Sequence, residues 1–110
     1  MVAAADAAAE ALVKRSGTSF FWAMRSLPMA KRRAMFALYA FCRAVDDIAD
    51  EPAPRDDKLA RLDAWHRDID CLYRGDEPKQ AIAAALSGPI AQYGLPREPF
   101  LEILRGMESD

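Results

Sequence analysis

The segment from Met29 to Asp50, MAKRRAMFALYAFCRAVDDIAD, decides the fold. Pro28 precedes it and Pro52-Ala-Pro54 follows it, so one long helix can run between these stops. On a wheel of about 100° per residue, Phe36, Tyr39, Arg43, Asp46, Asp47 and Asp50 share a stripe roughly 100° wide. Leu38, Phe41, Val45 and Ile48 lie on the opposite side, and Ala34, Met35, Ala37 and Ala40 fill the flanks. The first half is apolar nearly all round, which predicts burial. The last turns instead carry one arginine and three aspartates that face one way.

The rest of the chain also reads as helix. Ala3 to Lys14 is rich in alanine, and Ser16-Gly17 ends it. Thr18 or Ser19 can cap a short helix to about Arg25, which Pro28 closes. After the long helix, Asp56 or Asp57 opens another to about Tyr73, and Gly75 to Pro78 forms a turn. A further helix to about Tyr93 should kink or split at Gly88-Pro89. Gly94-Leu-Pro96 breaks the chain again, and Glu98 to about Met107 closes the series. No alternating strand pattern or repeat competes. The expected class is all-α.

The acidic stripe is costly without a partner. Asp46 and Asp50 stand at i and i+4, where like charges repel by roughly 0.2–0.5 kcal/mol. Acids near a helix C-terminus also oppose its dipole. A hard divalent cation such as Mg²⁺ would remove the conflict, because it takes carboxylate oxygens, waters and phosphate oxygens. Arg43, one turn earlier, could then donate to the same phosphate, and Tyr39 and Phe36 would extend the stripe as an apolar wall. Spacing alone leaves a second reading open, in which the aspartates form a solvated acidic face.

Bulk composition bounds the alternatives. The chain has 110 residues, which suits one small domain. Its 15 basic and 17 acidic side chains give a net charge of −2, without the basic surplus expected of a nucleic-acid partner. Cys42 and Cys71 follow no metal-binding spacing and read as reduced thiols, with Cys42 in the core. The N-terminus lacks a signal-peptide pattern, and the longest uncharged apolar run, Ala34 to Cys42, is far short of the roughly 20 residues that span a bilayer. A cytoplasmic location is expected, and peripheral membrane contact is compatible with it. Lys31-Arg32-Arg33 reads as a solvated helix start, Trp22 and Trp65 as core anchors, and His66 as a packing residue without a catalytic partner. Ser19 has no Ser–His–Asp context and is no nucleophile.

Ordered segments then carry a family resemblance. Ser19-Phe20-Phe21-Trp22-Ala23, Leu27-Pro28, Arg32-Arg33-Ala34-Met35, Ala37 to Arg43 and Val45 to Glu51 resemble, in order and spacing, the start of the squalene/phytoene synthase family. The VDDIADE form is most similar to the bacterial hopanoid-pathway branch. Arg105 to Asp110 resembles the family's Gly-Met-x-x-Asp segment.

The resemblance implies the N-terminal part of an isoprenoid-synthase helical bundle, with residues 1–110 forming part of a single prenyl synthase domain. It implies head-to-head transfer, in which two farnesyl diphosphates condense to presqualene diphosphate. Phytoene synthesis from geranylgeranyl diphosphate is the alternative. Asp46 and Asp50 would be the Mg²⁺ ligands, Asp47 an accessory carboxylate, and Arg43 a diphosphate donor. Phe20 and Tyr39 would shield and stabilise an allylic cation. Ser19 and Thr18 match the family's flap near the diphosphate. NADPH would be needed only if the reaction continued to squalene, and no dinucleotide fingerprint is present.

The sequence departs from the family in one respect. It stops at Asp110, before the second aspartate-rich motif and the tyrosine segment that precedes it. The expectation is that this chain alone is inactive, and that its long helix pairs with the missing half or self-associates. A non-catalytic helical module that binds Mg²⁺ or diphosphate, or simply another protein, is the competing class.

Overall fold

The computed structural model describes residues 2–15, 23 and 25–109. Among them are six helices and no strand: α1 (Val2–Arg15), α2 (Met29–Asp50), α3 (Arg55–Arg74), α4 (Ala81–Ala85), α5 (Ser87–Tyr93) and α6 (Glu98–Glu108). The all-α expectation holds. The expected short helix from Thr18 or Ser19 falls mostly outside the described residues, as do Ser19, Phe20 and Trp22.

The α2 helix has the expected bounds, and of the face opposite the stripe Phe41, Val45 and Ile48 are buried and Leu38 half-buried, joined by Ala37 and Ala40 from the flanks. Phe41 is the centre of the core. Its ring meets Trp65 of α3 edge-on, with centroids 5.2 Å apart, and Phe100 of α6 at 5.3 Å. Such T-shaped pairs set the positive edge of one ring against the negative face of another. Leu62 and Ile69 extend the α3 side, and Leu101 and Leu104 the α6 side. Small residues let α1 close over this core. Ala5 and Ala9, one turn apart, are buried against a cluster that includes Ala37, Ala40, Ala83 and Ala85.

Three features differ from expectation. The α3 helix starts at Arg55, with Pro54 in the capping position. Asp56 and Asp57 therefore sit inside the first turn, where their charge complements the helix dipole. The expected split near Gly88-Pro89 occurs earlier, at Leu86 between α4 and α5. Proline has no N–H and is tolerated only in a first turn, so the new helix must begin before Pro89.

The third difference is Cys42, expected in the core and found exposed. It lies about 100° round the helix from Phe41, which turns it toward Asp46 instead. Its thiol pKa is raised, first by partial burial and then by the Asp46 charge.

Among the described residues, Asp68 is the one buried acid, at 3% exposure. It accepts from the Lys79 N–H at 3.0 Å, the Gln80 N–H at 3.0 Å and the Gln80 side-chain amide at 2.9 Å. It thus caps the start of α4 from across the turn, since Gln80, the capping residue, makes no side-chain cap of its own. Gly75, at φ 82°, ends α3 in the left-handed conformation that lets the chain turn toward this cap. Among the described residues, no helix is long and apolar enough to cross a membrane.

Candidate functional site

The candidate site is the outer face of the last two turns of α2. Val45 and Ile48 point inward and are 0% and 3% exposed, which fixes the rotation of the helix. That rotation turns Arg43, Asp46, Asp47 and Asp50 outward, and all four are exposed. The sequence-predicted carboxylates are therefore brought together on one open face.

The three aspartates are not equivalent. Arg43 Nε lies 3.3 Å from Asp47 Oδ1, an i,i+4 ion pair. Among the described residues, no cation pairs with Asp46 or Asp50. These two, one helical turn apart, form the open carboxylate pair.

Hard carboxylate oxygens without a resident cation suit Mg²⁺, which binds through one or two carboxylates and completes its shell with waters and phosphate oxygens. Among the described residues, no group of three or more His, Cys, Asp or Glu side chains could hold a metal ion. Asp46 and Asp50 could hold such an ion only together with ligands from outside the described residues. Arg43 supplies the matching donor group, its guanidinium exposed next to Asp47.

Beyond the charges the stripe becomes apolar, as expected. Phe36 is 4% exposed and packs in a satellite cluster with Leu27, Met35 and half-buried Tyr39. Phe36 is thus a packed support, and Tyr39 is the residue of the two nearer the carboxylates. An adjoining groove of about 380 Å³, lined by Leu27, Lys31, Ala34, Met35, Leu38, Tyr93 and Leu95, shares Leu27 and Met35 with that cluster and reaches Leu38 on the opposite side of α2. Ser19 and Phe20, the other expected substrate contacts, lie outside the described residues.

Sequence reading missed the contacts that hold the end of α2. Lys58 of α3 donates to the Ala49 carbonyl at 2.8 Å, and Arg61 pairs with Glu51. Arg55 donates to the Glu108 carbonyl at 3.1 Å, while His66 pairs with the Glu108 carboxylate. The legible signal was the three-residue spacing of Arg55, Lys58 and Arg61 on a helix start, where cations oppose that helix's own dipole.

Comparison with known proteins places the sequence in a family. Presqualene diphosphate synthase of Rhodopseudomonas palustris is 48% identical over 94 residues, covering 86% of this chain and 33% of that protein. The enzyme of the same name from Sinorhizobium fredii is 44% identical over 108 residues, covering 96% and 38%. The 15-cis-phytoene synthase of Synechococcus elongatus is 33% identical over 99 residues, covering 90% and 32%. The chain thus spans about a third of the length of these relatives. No solved structure matches it significantly. The squalene/phytoene synthase family model matches residues 13–110, nearly the whole sequence, and the chain belongs to that family.

Proposed function

We propose that this chain supplies the first acidic face of a head-to-head prenyl transferase that condenses two farnesyl diphosphates to presqualene diphosphate. The observation that carries this reading is the open pair Asp46 and Asp50 beside the guanidinium of Arg43, on a helix whose other face is core. Two relatives that share 44–48% of their aligned residues bear the name of that activity, which supports the choice of product. The reaction proposed is that of a complete family domain.

Asp46 and Asp50 would hold Mg²⁺ against the diphosphate of the donor substrate. When bound there, the cation neutralises the charge that builds on the departing diphosphate. Arg43 donates to the same oxygens, and to do so it exchanges its contact with Asp47 for one with phosphate. Asp47, released from that contact, then remains beside the site as an accessory carboxylate. Tyr39, one turn before Arg43, would offer an aromatic face to the allylic cation formed when the diphosphate departs. Synthesis of phytoene from a longer prenyl diphosphate is the second reading, supported by the 33% identity to a phytoene synthase.

Calorimetric titration with Mg²⁺ and inorganic pyrophosphate tests the face directly. We expect Mg²⁺-dependent binding that falls at least tenfold in Asp46→Asn and in Asp50→Asn. Binding that neither substitution alters would return these aspartates to a merely solvated face.

A further inference from the structure

The end of α2 accumulates negative charge that, among the described residues, its own helix offsets only at Asp47, through Arg43. Asp46, Asp47, Asp50 and the capping Glu51 crowd its last turns, and its last turn contains no basic residue. The unpaired carbonyls there add the negative end of the helix dipole. Ala49 contributes one of these carbonyls, since the last four of any helix have no partner within it.

The remaining offset comes from α3. Lys58 Nζ reaches the Ala49 carbonyl at 2.8 Å, and Arg61, one turn on, pairs with Glu51. One turn earlier, Arg55 reaches the end of α6 at the Glu108 carbonyl. Three cations spaced three residues apart thus meet the C-terminal ends of two neighbouring helices. For α3 itself the placement is unfavourable, because cations in the first turns oppose its dipole. The compensation lies on the neighbours, and for Lys58 it lies at the residue directly before Asp50.

We propose that Lys58 is a positioning residue for the acidic face. By binding the Ala49 carbonyl it holds the last turn of α2 helical against the repulsion of its aspartates. That keeps Asp50 one turn from Asp46, the separation at which both can reach one cation-bearing diphosphate. The proposal rests on the reading of Asp46 and Asp50 as the Mg²⁺–diphosphate face. Its competitor is a role confined to fastening α2 to α3, which would affect stability and leave binding unchanged.

The test uses the full chain as wild type, Lys58→Met and Lys58→Arg. The probes are Mg²⁺ with inorganic pyrophosphate, followed by calorimetry, and amide hydrogen exchange over residues 47–51. In Lys58→Met we expect binding to weaken about three- to tenfold and exchange to quicken in that turn. Lys58→Arg restores both to within about twofold, because it keeps the charge and a donor. Should Lys58→Met fail to fold, Lys58→Gln, which removes the charge but keeps a donor, takes its place with the same expectations. Wild-type binding in the charge-removed variant overturns the proposal, whatever happens to stability. So does a binding loss that Lys58→Arg does not restore, since charge would then not be the cause. Absence of Mg²⁺–pyrophosphate binding by the unmutated chain would instead overturn the reading of the site, and the positioning role with it.

Discussion

Arg43 Nε and Asp47 Oδ1 lie 3.3 Å apart on the open face of α2, while Asp46 and Asp50 have no cation of their own among the described residues. The pair divides a string of identical acids into one that is internally satisfied and two that are not. An exposed pair of this spacing is worth only about 0.3–0.5 kcal/mol. Asp47→Asn should therefore leave the melting temperature within about 2 °C of wild type. It should weaken Mg²⁺–pyrophosphate binding less than about threefold, against tenfold or more for either neighbour. Equal losses at all three positions would show that the acids act as one undivided patch.

Arg43 is expected to act on the anion and not on the cation. Arg43→Met should weaken pyrophosphate binding about tenfold, since a charge-assisted donor pair is removed. Arg43→Lys should recover part of that loss, because a point charge cannot reproduce a bidentate fork. Binding of Mg²⁺ alone, followed by competition with Mn²⁺, should rise slightly or stay unchanged, as a nearby positive charge has been removed. A fall in cation affinity would place Arg43 in the support of the aspartates and take away its role as phosphate donor.

The long helix was legible because one period governed it from proline to proline, and Phe41, Val45 and Ile48 face the core as that period requires. Its acidic face was legible for the same reason, since burial of one side fixes exposure of the other. Cys42 was misread because residue type alone suggests burial, whereas its angular position beside Asp46 sets its exposure. Asp68 carried no such signal, and the spacing of Arg55, Lys58 and Arg61 marked Lys58 without naming its partner. Each serves another helix, and a periodicity within one helix cannot report a bond to the next. The helix break at Leu86 was read a little late because Pro89 marks where a helix has already begun.

Asp68 should be the polar residue whose loss most damages the fold. Its carboxylate satisfies two backbone N–H groups and one side-chain amide in a setting only 3% exposed. Asp68→Ala leaves those donors unpaired, at a cost of about 3 kcal/mol. Asp68→Asn keeps one acceptor and should cost roughly half as much. Urea unfolding of both variants measures this, and near-wild-type stability in Asp68→Ala would mean that water replaces the carboxylate freely.

Phe41 should be the apolar counterpart. It is 1% exposed and stacks edge-on with both Trp65 and Phe100, so it joins α2 to α3 and α6. Phe41→Ala is expected to cost about 3–5 kcal/mol and Phe41→Leu clearly less, since the leucine refills most of the volume. If denaturant midpoints move equally in the two variants, the ring geometry outweighs the volume.

Tyr73 gives the chain an alkaline limit. Its hydroxyl donates to the Leu95 carbonyl at 2.7 Å and so fastens the end of α3 to the loop before α6. Burial raises its pKa above the ordinary 10.0, with Arg97 pulling weakly the other way. The folded state therefore favours the neutral phenol more than the unfolded state does. This contribution is complete below the unfolded value and is lost as pH rises through the folded one. Ionisation also removes the proton that bonds to Leu95. Stability measured by urea unfolding should thus decline as the pH rises past about 10. Tyr73→Phe should cost about 0.5–1.5 kcal/mol at neutral pH and flatten that decline, because it removes the bond and the titration together. An alkaline decline just as steep in the phenylalanine variant would assign it to other groups.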